Sequence, residues 1–388
     1  MPKNPRFLVA LLALAAALIP AASANAAPNM EVAVQDDAVL LQQRYFNRDQ
    51  AFTLMRPMNA TRVRFNAIWV TLNGAQASKT TKPATPTYDF AAMDSAIAAA
   101  RARGVKVLLT VTGPAPAWAN GKRRRANPFR PDAKEYGKFV RTVVSRYKGK
   151  VDAYAIWNEP NHAAWLAPVK EQGKRYRELF TEGAKAVRSV DKKAKVLIAE
   201  TAPFSRNKKS ATPPLKFLRD ATCATSAYKK AKRTCKPLVA DGYAHHPYDF
   251  DRAPTKAIPG ADNVSIATLG RLTTALDKLA KAKLLVDRKG RGLNVWLTEY
   301  GYFAAPGTKN KVFPEATRAK YLRQAFEIAQ KNPRVVSMLQ FLLVDKGAQT
   351  GPFNTAILND GGTPKATYSA LVKWSKGAVK RGQVRAAR

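Results

Sequence analysis

Short apolar strand-like runs and longer amphipathic helical runs alternate about eight times along this chain of 388 residues. That alternation constrains the fold more than any other feature of the sequence. The strand runs are Met30–Asp36, Arg62–Trp69, Val105–Val111, Val151–Trp157, Lys195–Glu200, Asp241–Tyr248, Leu293–Glu299 and Val335–Phe341. They are rich in β-branched and aromatic residues and lack the in/out alternation of a half-exposed sheet, so they read as strands buried on both faces. Between them lie helical stretches: Asn47–Met58 with Asn47 as N-cap, Asp89–Arg103 stopped by Gly104, Asp132–Tyr147, Lys170–Val190, Leu215–Ala221, Ile266–Leu285, Glu315–Lys331 and Thr367–Lys376. Eight strands each followed by a helix predict an α/β protein, a single-domain (β/α)8 TIM barrel. An open doubly wound sheet is the competing arrangement; no Gly-rich phosphate turn follows any strand.

The two ends carry different expectations. Lys3 and Arg6 precede an apolar run from Phe7 to Ile19, and Ala24-Asn25-Ala26 supplies a small-x-small cleavage site. Residues 1–26 therefore read as a secretory signal peptide; the apolar run is too short to span a bilayer, which speaks against a retained anchor. The barrel domain is expected over 27–376, and the basic tail 377–388 is expected to be disordered. An exported chain places Cys223 and Cys235 in an oxidising compartment, where they are expected to form a disulfide; two free thiols are the other possibility. The formal charge is +39, and losing Lys3 and Arg6 with a leader that holds no acid leaves +37. Such a charge favours polyanionic surroundings, acidic or cell-wall glycan in particular. Export makes a specific nucleic-acid partner unexpected, and no later stretch is apolar enough to cross a membrane. The expected location is secreted, with cell-envelope association as a variant.

Two strand ends carry the chemistry. Tyr154-Ala155-Ile156-Trp157 stops on Asn158-Glu159-Pro160-Asn161, and Val295-Trp296-Leu297 ends in Thr298-Glu299-Tyr300-Gly301. In a parallel barrel the C-terminal tips of the strands display the functional groups. Two strand-tip carboxylates facing one mouth are what glycoside hydrolysis requires, one as acid/base and one as nucleophile. With three His in the chain and no spaced acidic cluster, neither a metal nor another cofactor is expected.

These motifs resemble those of the retaining glycoside hydrolases of clan A, in particular family 39-like and family 5-like cellulase and xylosidase barrels. The resemblance spans roughly Glu31 to Lys376. It implies that Glu159 is the acid/base and Glu299 the nucleophile, and that Asn158 meets the sugar 2-hydroxyl. It also implies that Arg64 keeps Glu299 ionised, and that His246-Pro247-Tyr248 is the clan's His-x-Tyr, with Tyr248 donating to Glu299. His245 is expected to face the packing layer while His246 faces the mouth. Trp69, Trp118, Trp157 and Trp165 lie near strand ends and are candidate stacking surfaces for sugar, with Trp118 and Trp69 carried as substrate-binding residues.

Two departures bear on specificity. The third strand ends in Gly113-Pro114-Ala115-Pro116, where many members carry a His, and the eighth reads Leu339-Gln340-Phe341-Leu342, where many carry a Trp. Glu200 and Asp345 are spare carboxylates at strand ends. Basic runs at Lys122–Arg125, Arg206–Lys209 and Lys309–Lys311 fall on loops expected at the mouth, where they would steer an acidic glycan. The reading is a secreted retaining glycosidase acting on a poly- or oligosaccharide. A non-catalytic glycan- or envelope-polyanion-binding barrel is the alternative.

Overall fold

The computed structural model describes residues 29–121, 126–207, 209–231, 234–305, 311–347 and 353–387. The leader-like segment and the runs Lys122–Arg125 and Lys309–Asn310 lie outside them. No helix among the described residues is long and apolar enough to cross a membrane.

Eight parallel strands close into a barrel in sequence order: β1 (Glu31–Gln35), β2 (Ala60–Ile68), β3 (Lys106–Thr112), β4 (Ala153–Ile156), β5 (Lys195–Thr201), β6 (Gly242–His245), β7 (Val295–Leu297) and β8 (Val335–Phe341), the last pairing with the first. The principal helices outside it are α1 (Arg48–Met55), α2 (Ala91–Ala102), α3 (Ala133–Tyr147), α4 (Gln172–Val190), α5 (Pro214–Thr222), α6 (Leu269–Lys281), α7 (Glu315–Lys331) and α8 (Ala366–Lys380). Asn47 and Asp132 accept hydrogen bonds from Gln50 N–H and Glu135 N–H, so these capping side chains fix where α1 and α3 begin.

Strand alternation sorts the barrel interior from its outer layer. Leu108, Ala153, Ala155, Leu197, Ala244 and Trp296 form the inner cluster. The much larger core lies between strands and helices. Trp296 fills the barrel floor, and Gly242 is needed beneath it: a Cβ there would lie 2.6 Å from the indole nitrogen. Arg62 stacks over the same ring and is paired with Glu31 at 2.8 Å, which closes the lower end with charge rather than an opening. Along β2 the inward positions then climb from Arg62 to Arg64 to Asn66, with Arg64 opposite Leu108 and Asn66 opposite Thr110. The barrel's register thus lifts Arg64 from the floor toward the C-terminal mouth.

The C-terminus departs from expectation. The last helix runs on to Lys380, and Met30 N–H donates to Gln383 O at 3.0 Å while Arg385 N–H donates to Met30 O at 3.1 Å. The tail, expected to be disordered, binds the free backbone leading into β1, and Val384 is buried there. Cys223 and Cys235 are joined as a disulfide that closes the loop after α5.

Candidate active site

Side chains from seven of the eight strands or the tips just after them converge on one network. Arg64 is fully buried, and its guanidinium is used on every side. Nη1 donates to Glu299 Oε1 at 2.7 Å and also to Gln35. Nη2 donates to Asn158 Oδ1 at 2.7 Å and to Glu200 Oε2 at 2.8 Å. Nε donates to Thr110 at 2.9 Å and to Glu200 Oε1 at 3.0 Å. A planar fork with fixed donor directions can hold five such partners at once; an ammonium cannot. Asn158 Oδ1 is taken by Arg64, so this residue offers a ligand its Nδ2 donors.

Glu299 also accepts from the Tyr248 hydroxyl at 3.2 Å. Glu159 lies across the mouth and is bonded to His246 Nδ1 at 3.0 Å, with Glu299 Oε2 3.7 Å from the same nitrogen. One oxygen from each glutamate and a ring nitrogen of His246 all lie within 4.8 Å of one another. Three such atoms are a donor set that a cation could share. Here His246 Nδ1 is committed to Glu159 and Glu299 to Arg64 and Tyr248, which gives a hydrogen-bonded network balanced by internal charge. His246 Nε2 is buried without a partner among the described residues. His245 faces the other way, between Thr201 and the Val264 carbonyl, as neighbouring strand residues should.

The charges are tuned by burial and by each other. Burial pushes the Glu299 carboxyl up, His246 and Arg64 oppose this, and the nearby Glu159 and Glu200 charges leave it above the ordinary value. Burial also raises Glu159, but its hydrogen bond to His246 and the charges of His246, His162 and Arg64 carry it below. Burial disfavours the His246 cation, yet Glu299 and Glu159 raise its pKa overall. Burial and the Glu299 charge hold Tyr248 well above the usual phenol range, so it stays a donor.

The backbone at these tips is unusual. Trp157 and Glu159 have φ of 70° and 38°, and Ala199 and Glu200 have φ of 90° and 48°. Non-glycine residues rarely adopt this region, and clusters of them mark sites where geometry is imposed by the surroundings. Asn161, fully buried, does part of the imposing. Its amide donates to Ala202 O and Thr212 O and accepts from Ala202 N–H, tying the loop after β4 to the loop after β5.

A cavity of about 670 Å³ opens above this network. Asn158, Glu159, Tyr248 and Glu299 line it together with Trp165, Phe204, Phe250, Phe341 and Phe353. The expected tryptophans are placed differently. Trp69 is fully buried and stacks on Phe139 at 5.3 Å, so it forms core rather than a sugar platform. Trp157 is likewise buried against Tyr136. Trp118 packs edge-on to Trp69 and donates to Asn73 Oδ1 at 3.0 Å, outside the residues that line the cavity. Trp165 is the tryptophan at the mouth. Phe353, exposed over 41% of its surface, also lines the cavity and packs edge-on against Tyr248, Phe250, Phe303 and Phe341.

The spare carboxylates serve structure. Glu200 is the bidentate partner of Arg64, and Asp345 pairs with Lys365 at 2.7 Å. Sequence reasoning missed the roles of Glu200 and Asn161; the one signal for Asn161 is its place two residues after the acidic tip.

Residues 26–336 match the family model described as Cellulase (glycosyl hydrolase family 5), which is most of the chain. The chain belongs to glycosyl hydrolase family 5. This is a clan A family of retaining glycoside hydrolases, and the barrel also resembles solved structures across that clan. A family 39 glycoside hydrolase from Bacteroides cellulosilyticus WH2 aligns with a TM-score of 0.64 at 19% identity, covering 90% of this chain and 64% of that one. Xylanase 10B from Thermotoga maritima aligns at 0.55 and 15% identity, over 91% and 97%. A monomeric beta-xylosidase from Caulobacter crescentus CB15 aligns at 0.57 and 15% identity, over 89% and 69%. The chain thus spans somewhat under two thirds of the first of these. No curated protein matches the sequence at a significant level.

Proposed function

We propose that this family 5 chain is an exported glycosidase that cleaves O-glycosidic bonds of a poly- or oligosaccharide by double displacement, with Glu159 as acid/base and Glu299 as nucleophile. The observation that carries the proposal is the spacing: oxygens of the two glutamates lie within 4.8 Å. Carboxyl groups that close leave no room for a water between base and sugar, as inversion would need, and favour direct attack.

The partners fit the division of roles. Arg64 and Tyr248 both donate to Glu299, which stabilises its charge and aims it. The Glu299 carboxylate attacks the anomeric carbon while the bond to the leaving oxygen breaks and that oxygen takes a proton from Glu159. Glu159, now a carboxylate, then takes a proton from water, the water attacks the same carbon, and Glu299 is released. In the empty site the proton favours His246 over Glu159. Transfer along their 3.0 Å hydrogen bond gives a neutral imidazole and a protonated Glu159. A bound sugar that displaces water from Glu159 favours that neutral form. Asn158, held by Arg64, points its amide donors to the sugar.

Export is supported by the leader-like N-terminus and by a disulfide that suits an oxidising compartment. The net charge of +39, with Arg206 lining the cavity, supports an acidic or cell-wall glycan setting. The test is turnover of a panel of glycosides with activated leaving groups by wild type and by Glu299→Ala, with and without azide. Hydrolysis lost in the variant and recovered as a glycosyl azide of inverted configuration is the expected result. No turnover by wild type, with tight binding to envelope polyanion, would replace this reading with that of a binding barrel.

A further inference from the structure

The cavity wall beside Glu159 is rich in apolar surface. If Glu159 protonates the leaving oxygen, the leaving group lies against the loops after β4 and β5, so the inference rests on the glycosidase reading above. Those loops are zipped together by Ala163 N–H to Ser210 O, Thr212 N–H to Asn161 O and the bridge between His162 and Ala211. They present Ala164, Trp165, Pro203 and Phe204 to the cavity. The polar groups on this wall are largely spent within the loops. Asn207 Oδ1 accepts from Lys209 and Ser210 N–H, the Ser210 hydroxyl donates to Asn207 O, and His162 Nδ1 accepts from Ala164 N–H. A sugar ring brings several hydroxyls that each need a partner when buried. Arg206 brings the wall's charge: it lies over the Phe204 ring at 5.7 Å and forms no ion pair among the described residues. What the wall offers a ligand is chiefly two aromatic rings and one guanidinium without an ion pair, with the Asn207 amide nitrogen and His162 Nε2 beside them.

We propose that this wall binds a leaving group consisting of an aromatic ring with an anionic substituent, stacked between Trp165 and Phe204 with its charge at Arg206. The substrate class is then a glycoside of an acidic aryl alcohol or phenol, which keeps the double displacement proposed above and replaces the saccharide leaving group with an aryl one. Guanidinium meets carboxylate as a fork, and aromatic stacking asks for no hydrogen bonds.

The experiment is a binding titration of the whole chain with three probes: 4-(hydroxymethyl)benzoate, benzyl alcohol and glucuronate. The benzoate is expected to bind about tenfold more tightly than benzyl alcohol, the scale of one added charge contact. Arg206→Met should remove that advantage and leave benzyl alcohol within about twofold, which also shows that the variant is folded. Trp165→Ala should weaken both aryl probes about tenfold and leave glucuronate unchanged. Phe204→Ala repeats that test from the other loop. Benzoate binding that is absent, or unmoved by all three substitutions, overturns the proposal, as does glucuronate binding that responds to them. Azide rescue of Glu299→Ala is read separately. Rescue without aryl binding removes only the leaving-group assignment, and aryl binding without rescue removes only the catalytic one.

Discussion

Arg64→Lys isolates what the guanidinium does for Glu299. Arg64 serves Glu299 and Asn158 from different nitrogens while holding Glu200 with two. A lysine ammonium has one nitrogen and cannot reach all of them. Glu200, fully buried with Thr110 as its other partner, is the stronger claimant. Glu299 then keeps Tyr248 and loses its closest cation. A unit-charge contact near 4 Å is worth about 4 kcal/mol at an effective dielectric of 20, a ceiling of about 3 pKa units. The lysine charge remains nearby, so a shift of about 1 unit is expected. The sign follows from burial. Glu299 already sits above the ordinary carboxylate value, and less opposition from a cation moves it further up. The nucleophile must be ionised, so activity fades as pH falls through that pKa, and the acid limb of kcat/KM moves to higher pH. Stability should also fall, by about 3 kcal/mol, because a buried carboxylate is left underpaired. The assay is kcat/KM against pH on an activated glycoside, with urea unfolding as the control. A lowered kcat/KM whose acid limb has not moved would refute the claim that Arg64 sets the ionisation of Glu299.

Three other substitutions or treatments test the surrounding frame. Tyr248→Phe removes a hydrogen bond to Glu299 worth about 1 to 2 kcal/mol, so kcat should fall about tenfold with little change in KM; an unchanged kcat would show that the 3.2 Å contact is incidental. Gly113→Ala would place a Cβ 2.4 Å from the Trp157 indole, which Tyr136 and a hydrogen bond to Trp165 O hold in place. The expected cost is about 2 kcal/mol with a drop in kcat, since Glu159 lies two residues on; a variant as stable and active as wild type would mean the β4 tip can give. Reducing the Cys223–Cys235 bridge, with 12 residues of separation, should cost about 3 kcal/mol in unfolding measurements and leave kcat/KM unchanged. Loss of activity on reduction would tie that loop to the mouth.

The sequence made the scaffold and the central pair legible because both depend on short-range pattern. Doubly buried strands are contiguous apolar runs, and Asn158, Glu159 and Glu299 follow such runs directly. Arg64, His246 and Tyr248 could be placed because strand alternation holds at β2 and β6. Where alternation breaks, legibility ends. Leu197 points into the barrel, so simple parity would turn Glu200 outward. A register shift between Ala199 and Thr201, with two left-handed residues, brings Glu200 back inside to Arg64 instead. No residue type in Ala199-Glu200-Thr201 announces that bulge. The tryptophans fail for a related reason. Trp69 begins a short helix at the end of β2, which sends its ring into Phe139 rather than over the mouth. Trp157 has a left-handed backbone that swings its indole toward Gly113. Trp165 reaches the cavity because Asn161 fastens its loop to the one after β5. An aromatic platform is therefore set by which loop is stapled to which, and that contact joins residues about forty positions apart. The sequence names the two carboxylates of such a site well; it leaves the leaving-group wall, on which Trp165, Phe204 and Arg206 meet, to the tertiary fold.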